Sequence, residues 1–201
     1  MARTRQTLEK KKQEESQQSR SPILGFFFLA GIIGVIALAV YFFVIDNPQP
    51  LPELNADFDI EAVVDNSVAY ESVGRDHIAD DVAREYNSNP PTSGAHNPRW
   101  VRPNGTYTSQ FSDTLLIHNL EHGHVWLSYR DEGDEDAVAI LRAIQEKYSD
   151  RVIVTYRPEN DTRIAVAAWT RLLTLEGLDS DQIEAFIVRY SDQAPESILE
   201  G

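Results

Sequence analysis

From residue 23 to residue 45 the chain reads ILGFFFLAGIIGVIALAVYFFVI, 23 positions without one charged side chain. At ~1.5 Å rise per residue a helix of this length reaches ~34 Å, enough to cross a hydrocarbon core of ~30 Å. The run is apolar on every side, unlike the one-sided pattern of a helix packed on a soluble core. It predicts a single transmembrane helix over 23–45. Gly25, Gly31 and Gly34 are tolerable there, because lipid offers the backbone no partner except the helix itself. Tyr41 lies near the far end, where a ring with a polar tip suits the interface. Ala37-Leu38-Ala39 matches a signal-peptidase site, but cleavage after Ala39 would leave Tyr-Phe-Phe-Val-Ile as the new terminus. The helix is therefore expected to stay as an anchor.

Past residue 56 the pattern breaks into short periodic segments. Phe58-Asp59-Ile60-Glu61-Ala62-Val63 alternates and predicts an edge strand over 58–64. Asn89-Pro90-Pro91, Ser93-Gly94, Asn97-Pro98 and Asn104-Gly105 punctuate residues 86–105 as loop. Ser112 or Asp113 caps a short helix running to His122, with Gly123 as its left-handed stop. Residues 125–129, 152–156 and 164–169 read as strands. Between them Val138, Leu141, Ile144 and Tyr148 recur at helical spacing within 135–148. A last helix begins at Asp179 or Ser180 and turns Ile183, Phe186, Ile187 and Tyr190 to one side. This order predicts an α+β fold: one small globular domain with a short mixed or antiparallel sheet and about three helices, preceded by the transmembrane helix. Tyr86 is expected in the core, Trp126 and Trp169 in the core or a pocket wall.

Charge adds a direction. The first 22 residues carry six cations against three carboxylates, a net of +3, so the remainder holds −17 of the chain's −14. Lys and Arg lie before the span, Asp46 follows it, and no cation appears until Arg75. The positive-inside rule then keeps residues 1–22 in the cytoplasm and exports the rest. The expected organisation is a charged tail (1–22), the span (23–45), a Pro-rich spacer (46–56) and an extracytoplasmic domain (57–201) in the cell membrane. So acidic a domain excludes binding to a phosphate backbone, and no nucleic-acid partner is expected.

The chain has no cysteine, and Met1 is its one methionine. That excludes disulfides, thiolate nucleophiles, zinc–cysteine sites and Met-rich copper(I) sites. All five histidines fall between residues 77 and 124. In His118-Asn119-Leu120-Glu121-His122 the two histidines and Glu121 stand at i, i+3 and i+4, so a helix projects them from one face. Two imidazoles one turn apart can close on a metal ion; they can equally be structural residues at a helix end. His96 follows Pro90-Pro91-Thr92-Ser93-Gly94-Ala95, where two prolines restrict the backbone, and His77 follows Arg75-Asp76. His124 is expected to face solvent. Ser93 is read as a turn residue, not a nucleophile, because no nucleophile elbow surrounds it. The candidate ligands are therefore His118, His122, His96, Glu121 and His77, with zinc or copper(II) as the ions that imidazole suits.

Arg75-Asp76-His77, Asn89-Pro90-Pro91-Thr92-Ser93-Gly94-Ala95-His96, His118-Asn119-Leu120-Glu121-His122-Gly123 and Ala168-Trp169 together resemble the domain of unknown function 3105 family, found mainly in bacteria. The resemblance covers roughly residues 55–195. It implies a membrane-anchored or exported domain of unassigned activity, and it groups the four motif histidines. A shorter likeness, H-x-x-E-H, is shared with inverted zinc peptidases, in which Glu121 would act as general base and Glu184 or Glu196 would complete the site. The domain is too short for that architecture. Three functions are thus open: a metal-binding domain, a non-catalytic envelope interaction module using the acidic face or the 90–103 loop, and, last, a metal-dependent hydrolase.

Overall fold

The structure is a computed structural model describing residues 22–41, 50–79, 84–99 and 105–198. Residues 1–50 and 51–201 form two compact units, each described by itself. The tail, the first part of the Pro-rich spacer and residues 100–104 of the long loop lie outside the described residues.

In the first unit, helix α1 spans Pro22–Val40, 19 residues. Among the described residues no helix is long and apolar enough to cross a membrane. Helix α1 is the first part of the 23-residue apolar run, and residues 42–45 of that run lie outside the described ones.

In the second unit, a six-stranded mixed sheet is flanked by helices on both faces. Its strands are β1 (Val68–Ala69), β2 (Gly105–Tyr107), β3 (Val125–Tyr129), β4 (Val152–Tyr156), β5 (Ile164–Ala168) and β6 (Arg171–Leu175). The helices are α2 (Asp113–Glu121), α3 (Glu135–Lys147) and α4 (Ser180–Tyr190). Strand order is β1-β6-β5-β3-β4-β2, with β3–β4 and β2–β4 parallel and the remaining pairs antiparallel. The parallel pair β3–β4 requires a crossover, and α3 supplies it.

Both faces of the central strands are covered, which is why β3 and β5 are buried at every position. On one face Val125, Leu127 and Tyr129 pack with Leu141 and Ile144 of α3 and Ile183, Phe186 and Ile187 of α4. On the other, Trp126 and Ile153 pack with Leu116 and Leu120 of α2. Trp126 is fully buried and its indole N–H donates to Thr155 Oγ1 at 2.8 Å, which satisfies the one polar atom of that ring.

The predicted strand over 58–64 is instead a 3-10 turn at Ile60–Ala62, whose cap Asp59 accepts a hydrogen bond from the Glu61 N–H. Asp59 offers the backbone a local partner, and that competes with ladder pairing. Strand β6 was not foreseen. It pairs with β5 through a two-residue turn, Trp169-Thr170, in which Thr170 takes φ +59°.

Candidate metal centre

Helix α2 is the rigid platform of the site. Leu116 and Leu120 fix it to the sheet, and Arg157 clamps its first turn by donating from Nε and Nη2 to the two carboxylate oxygens of Asp113 at 2.9 and 2.8 Å. His118 and Glu121, one turn apart, are both buried. The helix ends at once: His122 is its C-cap and Gly123 takes φ +92°. A Cβ at Gly123 would meet Ser197 Oγ at 2.5 Å and Asp192 Cα at 3.1 Å, so the close approach of the C-terminal segment needs glycine there.

Two loop segments complete the site. Residues 74–78 run parallel to residues 94–96, held by Gly94 N–H to Gly74 O (2.9 Å), His96 N–H to Asp76 O (2.9 Å) and Ile78 N–H to His96 O (2.8 Å). This pairing sets His77 beside His96. The expected exposed loop from residue 90 is, in its first part, interior: Pro90 to Gly94 are buried. Thr170 N–H donates to Thr92 O, and Ser93 Oγ accepts from Val73 N–H at 3.1 Å, which gives Ser93 a structural task.

The donor atoms converge. Nitrogen atoms of His77, His96 and His118 and a carboxylate oxygen of Glu121 all lie within 4.8 Å of one another. Glu121 Oε2 is 3.0 Å from His96 Nε2 and 3.6 Å from both His77 Nε2 and His118 Nδ1. The three rings form a triangle with centroids 5.0 to 5.2 Å apart. His96 Nδ1 is 2.8 Å from the Gly94 carbonyl, which can only accept, so Nδ1 carries the proton and Nε2 presents a lone pair. A backbone carbonyl that fixes the tautomer in this way is the usual support of a ligating histidine. His96 Nε2 meets His118 Nδ1 at 3.1 Å, a hydrogen bond between the two rings, and Glu121 Oε2, 3.0 Å away, is a buried oxygen that accepts no hydrogen bond. A buried carboxylate oxygen with no donor is costly, and a cation held among these nitrogens would compensate it. The donor set is neutral imidazole plus carboxylate, which suits a divalent transition ion.

His122, expected as a ligand beside His118, is not part of this group. Its ring is 4.7 Å from that of His118, but its Nδ1 donates to the Glu196 carbonyl at 2.8 Å, and it groups with Glu121 and Glu196. Glu196 also pairs with Arg75 at 2.6 Å, and Arg75 lies 3.6 Å from Glu121 Oε1. Arg75 is thus the cation beside Glu121, and no spacing in the sequence marks it as such. Glu184 is remote from the site: it is buried against Lys147 and accepts from Tyr148 Oη. His124, expected at the surface, is buried, with its backbone N–H and Nδ1 both on the Asn119 carbonyl. It precedes β3 and does not share its alternation. Tyr86 is half-buried and donates to Ala95 O, bracing the His96 loop.

Burial pushes the His118 imidazole down to about 4, aided by the neighbouring His122, His96 and His77, and burial also lowers His124. Both rings are neutral in the folded protein near neutral pH. In the unfolded chain they titrate near 6.5. Below that pH the unfolded state takes up protons that the folded state refuses, so stability is full above about 6.5 and falls as acid is added. For His118 the loss completes near 4, where the folded ring protonates too. Denaturant midpoints of the metal-free protein should fall through this window, and His118→Gln should flatten the slope.

The fold and site together define a small α+β domain with a cluster of three histidines and one carboxylate, buried except at His77. The chain belongs to the family described as a protein of unknown function (DUF3105), whose model matches residues 77–200. No curated protein and no solved structure matches the chain.

Proposed function

We propose that this is a membrane-anchored, extracytoplasmic domain that binds one divalent transition-metal ion through His77, His96, His118 and Glu121. The carrying observation is the convergence of three imidazole nitrogens on a buried carboxylate oxygen that has no hydrogen-bond partner. Such an oxygen costs about 1–3 kcal/mol if nothing compensates it. Zinc and copper(II) are the ions that fit a donor set of three imidazoles and a carboxylate. No reaction is assigned. The inverted-peptidase reading draws no support from the geometry, because Glu121 stands among the donors and His122 is committed to the Glu196 carbonyl.

Anchoring is supported by the apolar run and by the exposed Phe27, Ile33, Val35, Ile36 and Leu38 of α1, a surface that water penalises and lipid does not. The excess of cations before the run supports export of the domain.

Two measurements on the full-length chain test the reading. Metal analysis should find about one zinc or copper per chain, and His96→Ala with His118→Ala should remove it while the far-ultraviolet spectrum stays folded. Protease added to intact protoplasts should digest the C-terminal domain. A metal-free wild-type protein after purification with zinc and copper supplied, or a domain digested only on lysis, contradicts the respective half of the proposal.

A further inference from the structure

Arg75 stands between two carboxylates. Its Nη1 donates to Glu196 Oε1 at 2.6 Å and lies 3.6 Å from Oε1 of Glu121. The shorter contact is a charge-assisted hydrogen bond, and the longer one is beyond hydrogen-bond range. The guanidinium is committed to Glu196 and only approaches Glu121.

Glu196 belongs to a short C-terminal strap, residues 192–198, whose backbone bonds run to the three residues that end α2. Asp192 N–H donates to Gly123 O at 2.9 Å, Glu196 N–H to Glu121 O at 3.1 Å and Ile198 N–H to His122 O at 3.3 Å. His122 Nδ1 returns a bond to the Glu196 carbonyl at 2.8 Å. Glu196 therefore joins the two segments that bring Glu121 and His77 to the cluster. Its backbone grips the end of α2, and its carboxylate grips Arg75, two residues before His77. Yet no residue from 192 to 198 is buried, and Ile198, the largest apolar side chain of the strap, is 60% exposed. A segment held by polar contacts without apolar anchors has low local stability, so it can lift while the core stays folded.

Resting on the metal-site reading above, we infer that the strap regulates the site by moving Arg75 between its two carboxylates. Docked, the strap keeps Arg75 on Glu196 and leaves Glu121 to the ion. Lifted, it gives Arg75 up to Glu121, and the guanidinium takes the place of the ion as that carboxylate's cation. A guanidinium bonded to Glu121 Oε1 neutralises the one anionic donor of the cluster, and its charge repels a divalent ion. The chain thus carries its own competitor of the metal. Arg75 and Glu196 are positioning residues, and charge gives their substitutions opposite signs.

Zinc affinity and release rate, read on the full-length chain with a chromophoric chelator, test the switch. Glu196→Gln keeps the backbone bonds of the strap but frees Arg75. It should weaken zinc about tenfold and speed its release, the lower end of what losing a supporting partner costs, because the pair is half-exposed. Arg75→Gln should bind zinc at least as tightly as the wild type. The double variant should match Arg75→Gln alone, because without the guanidinium the strap has nothing to withhold. A merely structural clamp would lose affinity in both single variants. That result, or wild-type affinity in Glu196→Gln, overturns the inference and leaves the metal site standing. A wild-type chain that takes up no zinc defeats the metal reading and the inference together.

Discussion

Glu121→Gln should make the metal-free protein more stable and abolish the stabilisation that metal gives the wild type. Oε2 is buried, accepts no hydrogen bond, and lies 3.0 Å from His96 Nε2, a nitrogen that also meets His118 Nδ1 at 3.1 Å. An amide at that position leaves no buried charge unmet and brings N–H donors among the ring nitrogens. The gain should be about 1–3 kcal/mol, the usual penalty of an unmet buried polar group. Little is lost on the other side of the carboxylate, because Arg75 is half-exposed, 3.6 Å away, and keeps Glu196. With metal the order reverses. A wild-type protein at a thousandfold excess over its dissociation constant gains about 4 kcal/mol, and the variant, lacking the anionic donor, gains far less. Thermal unfolding of both proteins, with and without zinc, gives four midpoints. If Glu121→Gln lowers the metal-free midpoint, the cluster satisfies itself through protons and is a structural hydrogen-bond network.

Much of the fold was legible where one periodicity dominates. The helical spacing from Val138 to Tyr148 and the apolar runs 125–129 and 152–156 correspond to α3, β3 and β4. The exceptions have local physical causes. Residues 58–63 alternate like a strand, yet Asp59 captures a nearby N–H and winds the chain into a 3-10 turn. Strand β6 places Leu172 and Leu173 on opposite buried faces, so no polar–apolar alternation announces it. The turn before it uses Trp169 and Thr170 where a glycine or asparagine would have signalled a hairpin.

The site was legible as residue types and spacing, not as an assembly. The i, i+3 relation of His118 and Glu121 follows from any helix, and both join the cluster. The i, i+4 relation suggested His122 equally. Helix α2 stops one residue earlier, and a C-terminal segment whose approach no local pattern encodes draws its Nδ1 away. The convergence of His77 and His96 depends on three backbone hydrogen bonds between loops, which leave no hydrophobic period to read.

Gly94→Ala should then damage both stability and metal binding, because this glycine is where loop conformation becomes ligand geometry. Its φ of +124° lies where a side chain is strained, and a Cβ there would sit 2.8 and 2.9 Å from ring carbons of Tyr86. That ring cannot simply swing aside, since its hydroxyl donates to Ala95 O at 2.9 Å. Strain and overpacking each contribute about 1–3 kcal/mol, so a loss of about 2–6 kcal/mol is expected. The Gly94 carbonyl also holds the His96 Nδ1 proton, and a shift of the peptide re-aims Nε2. Loss of such a supporting partner typically weakens metal binding about 10–100-fold. Gly74→Ala is the control: φ is +103° there too, but nothing lies within 4 Å of the added Cβ. It should carry the backbone penalty alone and leave metal affinity near that of the wild type. Denaturant unfolding and zinc competition titrations on both variants distinguish the cases. Equal metal affinity in the two would mean that His96 is aimed by something other than the Gly94 peptide.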